Sequence, residues 1–165
     1  MLRVDELDLA FLSVTERIES HGLGLHQLVS EELVVLLPPG HRLAGQDVVR
    51  MPELADEQFV SFREGSRLRE LLVGASHENG FEPTVMLSSN EPQRIRRLVS
   101  RGMGVAILPY SDATSPGAEV AVRRLTRPSL SRDITLAWRD GRRHPPAVSR
   151  FLSMCRDMFT VEREV

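Results

Sequence analysis

The chain has 165 residues, of which 41% are hydrophobic and 27% are charged, a composition typical of one soluble globular domain or two small lobes. The formal net charge of −2 does not indicate a nucleic-acid-binding protein, which would present a strongly basic surface. Cys155 is the one cysteine, so the composition excludes an intrachain disulfide, and an apolar position in a helical pattern predicts a buried, unreactive thiol.

The first third of the chain predicts two buried strands. Leu7–Leu12 (LDLAFL) is short and apolar, and the polar, glycine-containing stretch at 13–27 predicts a loop or a weak helix after it. Glu31–Leu37 (EELVVLL) predicts the second strand, which a Pro-Pro-Gly run ends. We expect residues 39–51 to form a surface loop and Pro52–Asp56 a single helical turn.

The centre of the chain predicts alternating strands and helices. Gln58–Phe62, Thr84–Ser89 and Val105–Pro109 are short apolar runs typical of buried strands. Each interval between them carries apolar residues at the i, i+3, i+4 spacing of an amphipathic helix, and the first of these helices begins at Ser66 and ends near Gly80. This order is that of two βαβ crossovers, so we expect three parallel strands covered by helices.

The last third of the chain predicts two more strands and a closing helix. The strands are 119–125 (EVAVRRL) and 133–139 (DITLAWR), and Pro145-Pro146 opens a helix with apolar residues on one face. No apolar run reaches the length of a membrane span, and acidic residues occupy the first positions where a signal peptide would be apolar. We therefore expect a cytoplasmic protein.

Small polar residues follow two of the predicted parallel strands. Gly65 and Ser66 lead into the first central helix, and Ser89 and Asn90 lead into the second, while Arg63 adds positive charge. Such helix starts offer backbone N–H groups without intrahelical partners, and the carboxyl ends of parallel strands are where ligands bind in open sheets. Two interpretations stay open: a site for a carboxylate or other small anion, and simple helix capping.

Catalytic and metal-binding motifs are not indicated. The sequence has no G-x-S-x-G elbow, and its five histidines are scattered rather than paired at metal-ligand spacing. A phosphate-binding lysine loop cannot form because all 21 basic residues are arginine. We expect no cofactor and no metal, and an enzyme using Ser66 or Ser89 would need a general base within hydrogen-bond reach.

An ordered set of segments resembles the effector-binding domain of LysR-type transcriptional regulators. The segments are LDLAFL, EELVVLLPPGHRLA, LADEQFVSFREGSRLRELL, ENGFEPTVMLSSNEPQRIRRLVSRGMGVAILP and ITLAWR. Their order and spacing follow that family from about Leu7 to Phe159, and LPPGHRLA and GMGVAILP are the most specific pieces.

The resemblance implies an α/β protein with two Rossmann-like lobes of the periplasmic-binding-protein type II kind. Lobe I would comprise residues 1–38 and 120–165, and lobe II residues 39–119, with hinges at Leu33–Pro38 and Val120–Leu125. It also implies that a small metabolite binds in the cleft between the lobes. Carried over by position, the ligand-binding residues would be Ser13, Val14, Arg63, Gly65, Ser66, Ser89, Asn90, Gly104 and Pro109.

The sequence departs from the family pattern at its start. It carries neither the winged helix-turn-helix nor the opening strand–helix–strand of lobe I, so the first lobe would be incomplete and DNA would be contacted only through a domain absent from this chain. We therefore predict a non-enzymatic sensing and oligomerisation module, with a small organic acid as effector, a second copy of the chain as partner, and no membrane. The alternatives are a stand-alone dimerisation module and a solute-binding protein.

Overall fold

The computed structural model describes residues 7–14 and 22–159, which form a mixed α/β structure. The strands in these residues are β1 (Leu9–Val14), β2 (Leu23–Leu37), β3 (Val48–Arg50), β4 (Gln58–Ser61), β5 (Thr84–Ser88), β6 (Ala106–Pro109), β7 (Ala121–Thr126) and β8 (Ser131–Arg139). The α-helices are α1 (Arg67–Glu78), α2 (Pro92–Ser100), α3 (Tyr110–Thr114) and α4 (Pro146–Met158). A 3-10 helix, Met51–Leu54, lies between β3 and β4. No helix in the described residues has the length and apolar character that a membrane span requires.

The chain divides into two compact units. Unit 2 is the continuous stretch Glu31–Ser131, and unit 1 combines the residues up to Ser30 with those from Arg132 onward. Strand β2 contributes to both units, because the division falls between Ser30 and Glu31.

In unit 2, the second half of β2 lies between two antiparallel neighbours. Val35 is opposite Ile107 of β6 on one side and opposite Arg123 of β7 on the other. Strand β3 pairs with β7 in parallel. Strands β4 and β5 form a parallel pair, and a parallel bridge joins Phe59 of β4 to Val105 at the start of β6. The prediction that the three central strands run parallel is confirmed.

The core of unit 2 has two layers because successive β2 side chains point to opposite faces. Leu33, Val35 and Leu37 pack in a cluster that contains Leu72 and Ala75 of α1. The intervening residues join a second cluster with the apolar side of α2, and its buried β2 and α2 members are Val34, Leu36, Ile95 and Val99. The apolar spacing of both helices thus places them against the continuous apolar run of β2, which was predicted as a buried strand.

Charged side chains fix the connection that leads into β4. The Glu53 carboxylate accepts hydrogen bonds from the backbone N–H of Arg50 at 2.9 Å and from its guanidinium Nε at 3.0 Å. The Arg50 guanidinium and backbone N–H lower the pKa of Glu53 to about 2. Arg42 donates to the Glu53 carbonyl at 2.8 Å and to the Glu57 carboxylate at 2.8 Å. This network holds the 3-10 helix in the segment that leads into β4.

In unit 1, β1 and β8 pair antiparallel, with Leu9 opposite Trp138, and β8 is also the neighbour of β2. Helix α4 packs Leu152 and Cys155 against Trp138, so the prediction of a buried Cys155 is confirmed. The Trp138 ring lies over the backbone of Gly24, where a Cβ atom would come within 2.1 Å of it. The Arg156 guanidinium lies over the Trp138 ring, 5.1 Å from the ring centre.

Three sequence-based expectations need correction. Strand β2 begins at Leu23, inside the stretch predicted as a loop or weak helix, because Gly24 lets the chain pass beneath Trp138 in an extended conformation. Strand β3 lies in the predicted surface loop, where it pairs with β7 and buries Val49. Helix α3 lies between the predicted strands Val105–Pro109 and 119–125, where the sequence predicted no helix, and the N–H of Ser111 in its first turn donates to the Glu31 carboxylate at 2.6 Å.

Candidate functional site

The turns after β4 and β5 lie at the same edge of the sheet. The two strands are parallel and Ser61 is opposite Ser88, so both strands end together. The backbone N–H of Ser89 donates to the carbonyl oxygen of Ser61 at 3.0 Å. The two predicted turns, Gly65-Ser66 and Ser89-Asn90, are therefore neighbours at the carboxyl ends of two adjacent strands, the usual position of ligand sites in open parallel sheets.

The first turn opens α1 without a side-chain cap. Gly65 adopts a φ of +80°, a left-handed conformation that glycine takes at little cost. Ser66 is the N-cap residue, its carbonyl accepts the N–H groups of Arg69 and Glu70, and its hydroxyl makes no capping hydrogen bond. The first N–H groups of α1 thus have no intrahelical acceptor and no serine cap.

The second turn is closed by its own serine. Ser89 is buried, and its hydroxyl accepts the backbone N–H of Glu91 at 3.1 Å. Glu91 is the N-cap of α2 and Pro92 follows at its first position, where a missing N–H costs nothing. Asn90 is exposed. Ser89 therefore shapes the turn, while Asn90 and the hydroxyl of Ser66 are available to another molecule.

A pocket of about 380 Å³ borders this edge. It is lined by Phe62, Arg63, Glu64, Arg69, Val85, Met86, Leu87 and Ser88. Two guanidinium groups face one carboxylate there, and no ion pair in the described residues involves Arg63, Glu64 or Arg69. The Nη1 atom of Arg69 is buried and has no hydrogen-bond partner within the described part of the chain. The side chains that line the pocket therefore carry one more positive than negative charge.

Arg69 and Ser88 are absent from the residues predicted to bind the ligand. Arg69 lies three residues after Ser66 on α1, which puts it one helical turn further along the same side. That i, i+3 spacing is the signal in the sequence from which Arg69 could have been identified. Ser88 is the last residue of β5. Because side chains alternate along a strand, Ser88 and its neighbour Ser89 are expected on opposite faces.

The remaining predicted residues lie on other elements. Pro109 is buried at the carboxyl end of β6, opposite Leu33, and a parallel bridge joins β6 to β4, so Pro109 lies at the same edge of the sheet as the two turns. Gly104 precedes β6 and packs on the Gln58 carbonyl at the start of β4, so it lies at the other end of that strand from Arg63. Ser13 and Val14 end β1 in unit 1, opposite residues of β8.

A second pocket of unit 2, about 290 Å³, lies beside Gly104 at the amino end of β4. His41 and Glu57 line it, with His41 Nε2 3.2 Å from the Glu57 carboxylate and His41 Nδ1 accepting the N–H of Leu43 at 3.2 Å. Both histidine nitrogens are thus engaged by protein groups. Across residues 7–14 and 22–159, no three histidine, cysteine, aspartate or glutamate side chains form a group that could hold a metal ion.

Comparison with known proteins identifies relatives along nearly the whole chain. The family model described as the LysR substrate binding domain matches residues 1–160. The transcriptional dual regulator GltC of Bacillus subtilis (strain 168) is 31% identical over 161 residues, which cover 96% of this chain and 53% of GltC. The chain spans about half the length of such curated relatives.

Solved structures show the same fold. The regulatory domain of Synechocystis PCC6803 CcmR, solved in complex with 2-PG, superposes with a TM-score of 0.83 at 23% identity, over 98% of this chain and 77% of that one. The effector binding domain of QuiR in complex with shikimate superposes with a TM-score of 0.80 at 27% identity, over 96% of this chain and 74% of that one. The predicted fold class, α/β of the periplasmic-binding-protein type II kind, is confirmed.

Proposed function

This chain belongs to the LysR substrate-binding domain family, and we propose that it is the effector-sensing module of a transcriptional regulator whose effector is a small anionic metabolite. In this proposal the ligand binds at the edge formed by the Gly65-Ser66 and Ser89-Asn90 turns and is attracted by Arg63. The module itself catalyses no reaction.

The register between Ser61 and Ser88 is the observation that carries the proposal. It brings two helix-opening turns to one edge, and at one of them the serine hydroxyl makes no capping hydrogen bond. Helix starts bind anions because N–H dipoles and the helix macrodipole both favour negative charge. The Arg63 side chain is exposed and lies in the pocket that borders this edge.

QuiR supports the choice of ligand class. Its effector binding domain has been solved with shikimate, is 27% identical to this chain, and shares its fold. Shikimate is a carboxylic acid, and an electropositive pocket of about 380 Å³ has room for a metabolite of that size. We therefore expect the effector of this chain to be an organic acid.

Regulation would follow from a shift in populations. A ligand that binds one conformation better than another moves the equilibrium toward it by its differential affinity. We propose that the module works as a homo-oligomer in the cytoplasm and influences DNA through another domain of the regulator. Strand β5 supports an oligomer: β4 is its only strand partner in the described residues, and Met86 on it is 55% exposed.

Thermal unfolding in the presence of metabolite acids tests the proposal. A ligand at 100 times its dissociation constant stabilises the native state by roughly 2.7 kcal/mol, so a true effector should raise the unfolding midpoint of the purified chain clearly. Shikimate and a panel of di- and monocarboxylic acids are the first ligands to examine, each with its neutral amide as a control. A flat midpoint across the whole panel would contradict an organic acid as effector.

The Arg63→Gln variant provides the matched site test. Arg63 is exposed and forms no ion pair with a described residue, so its replacement should leave the unliganded midpoint unchanged and reduce the ligand-induced shift. Arg94→Gln is the control, since Arg94 is exposed on α2 and pairs with Glu91 at 3.1 Å outside the pocket.

A further inference from the structure

Helix α4 of unit 1 carries two apolar stripes. The first stripe faces the core, where Leu152 and Cys155 are buried and Val148 packs against the same cluster. The second stripe follows the spacing i, i+4, i+7, i+11, and its members are Ala147, Phe151, Met154 and Met158. This spacing is that of the seam along which two helices pack in a coiled coil. The second stripe therefore has the pattern of a helix-packing surface.

The second stripe is largely open to solvent. Met154 is 47% exposed and Met158 is 67% exposed. Phe151 extends the apolar surface to β1, where its ring meets that of Phe11 edge to face at 6.5 Å, and Phe11 is itself 62% exposed. A pocket of about 470 Å³ opens beside the stripe and is lined by residues of α4. Large apolar side chains that are exposed together mark an interaction surface.

Two opposite charges flank the second stripe on one side. Arg150 immediately precedes Phe151 in the chain, and Asp157 immediately precedes Met158. Both charged side chains are exposed, and neither forms an ion pair with a described residue. Seven residues of α-helix separate them by about 10 Å along the helix axis, which is too far for the two to pair with each other. The flank thus has a positive charge near one end and a negative charge near the other.

This stripe is complementary to itself when a second copy lies antiparallel. Phe151 of each copy then faces Met154 of the other, and the small Ala147 faces the long Met158. Large and small side chains are thereby matched, and the flexible methionines can adapt to the aromatic ring and the adjoining pocket. The arrangement has a two-fold axis, so it closes as a dimer and leaves no further stripe exposed.

The charges favour the antiparallel arrangement over a parallel one. In the antiparallel pair the two flanks run along each other in opposite directions, so Arg150 of each copy approaches Asp157 of the other and two ion pairs form. In a parallel pair the same flank would lie beside Val148 and Cys155, which carry no charge. Charge complementarity thus identifies a second copy of this chain as the partner.

We propose that the second stripe of α4 is a self-association surface at which two copies of the chain form an antiparallel pair of α4 helices. The surface belongs to unit 1, whereas the open edge of β5 and the proposed effector site belong to unit 2. The proposal does not depend on effector binding. A pair of helices of 13 residues each buries less area than a standard interface, so we expect a weak dimer with a micromolar dissociation constant.

Sedimentation velocity of the purified chain over a concentration series tests the proposal. Between about 5 and about 500 µM, the wild type should shift from monomer to dimer. Met154→Glu places a charge in the middle of the stripe, so this variant should stay monomeric while its unfolding midpoint remains that of the wild type. Met103→Glu is the matched control, since Met103 is 48% exposed and lies in unit 2 outside α4. It should dimerise as the wild type does.

Charge reversal tests the direction of the helices. Arg150→Asp brings two carboxylates together at each end of the pair, so the dissociation constant should rise at least about tenfold at low salt. Adding Asp157→Arg to the same chain restores opposite charges, and the dissociation constant should return to within about threefold of the wild-type value. Such a rescue reports contact between two copies, because the two residues are too far apart to pair within one helix.

Each contrary result has a distinct meaning. A wild type that stays monomeric over the whole series overturns the proposal and leaves the stripe to a helix of another protein. A dimer that Met154→Glu leaves intact, or that Met103→Glu weakens equally, overturns the assignment to α4. A double charge-reversal variant as weak as Arg150→Asp alone overturns the antiparallel arrangement. Failure of the proposed function is separate, because it would appear as an unfolding midpoint that no acid raises, with dimerisation unchanged.

Discussion

Ser61 and Ser88 lie opposite each other as the last residues of two parallel strands, and the Ser61 carbonyl accepts the N–H of the next residue, Ser89, at 3.0 Å. This relationship fixes where both following turns can lie. Each turn leads into a helix, so the edge of the sheet presents two helix starts side by side. The Ser89 hydroxyl accepts a backbone N–H, whereas the Ser66 hydroxyl makes no capping hydrogen bond, and this difference can be measured.

Replacement of the two turn serines should separate structure from binding. Ser89→Ala removes the hydroxyl that accepts the Glu91 N–H, so it should lower the free energy of unfolding by about 1 kcal/mol. Ser66→Ala removes a hydroxyl that makes no capping bond, so the unfolding free energy should change by less than about 0.5 kcal/mol. Urea denaturation measures both, and a Ser66→Ala variant as unstable as Ser89→Ala would contradict the assignment.

Two glycines that were predicted to bind ligand should respond very differently to alanine. Gly104 has a φ of +135° and a Cβ there would lie 2.4 Å from the Gln58 carbonyl oxygen, so Gly104→Ala should cost about 3 kcal/mol or more. Gly65 has a φ of +80° with open space around it, so Gly65→Ala should cost only about 1–2 kcal/mol. Urea denaturation of both variants checks the order, and equal losses would contradict it.

Much of unit 2 could be predicted from the sequence because its elements are strongly periodic. Leu33–Leu37 is an unbroken apolar run, and all five of its residues are buried. The first half of β2 could not be predicted, because it is only partly buried, it carries Gly24 and His26, and its partner strand β8 lies more than one hundred residues later. Local composition therefore favoured a loop where distant pairing makes a strand.

The sequence was enough to predict which two backbone turns lie together at the candidate site. Turns after adjacent parallel strands must share an edge, so Ser66 and Ser89 could be brought together without coordinates. The i, i+3 spacing from Ser66 could identify Arg69, but the sequence does not show that residues of β5 line the same pocket as Arg69. For Gly104, the sequence shows only a glycine before a strand. The structure shows that a side chain there would collide with the Gln58 carbonyl.

The stability of the chain should depend on pH through Glu53. Hydrogen bonds from Arg50 lower the pKa of Glu53 from 4.5 to about 2. A carboxyl with a lowered pKa in the folded state stabilises that state above its unfolded pKa, and the contribution is lost as the pH falls through the folded value. The difference in unfolding free energy between wild type and Glu53→Gln should therefore be constant above about pH 5.5 and should decline between about pH 4.5 and about pH 2.

Glu70→Gln is the control for this pH dependence. Glu70 belongs to an exposed pair with Arg67 on α1, and such surface pairs contribute little to stability. Urea denaturation of wild type and both variants between pH 2 and pH 7 checks the prediction. A Glu53→Gln profile parallel to that of the wild type over the whole range would contradict it.

Unit 1 should be sensitive to a single methyl group at Gly24. A Cβ at this position would come within 2.1 Å of the Trp138 ring, so Gly24→Ala should destabilise unit 1 by about 2–3 kcal/mol. Trp138 is the one tryptophan of the chain, so its fluorescence reports unfolding around this contact. Gly45→Ala is the control, since no atom lies within 4 Å of a Cβ there, and a fluorescence midpoint equally low in both variants would contradict the prediction.

The division of the chain at Ser30 and Arg132 has a consequence for synthesis. Unit 2 is one uninterrupted stretch, so all of its strands have left the ribosome before translation ends. Strand β1 precedes unit 2 in the chain but is paired with β8, whose residue Trp138 lies 129 positions after Leu9. Strand β1 therefore stays without its β8 partner until unit 2 has been synthesised, and this long-range pairing is expected to form later than the local contacts of unit 2.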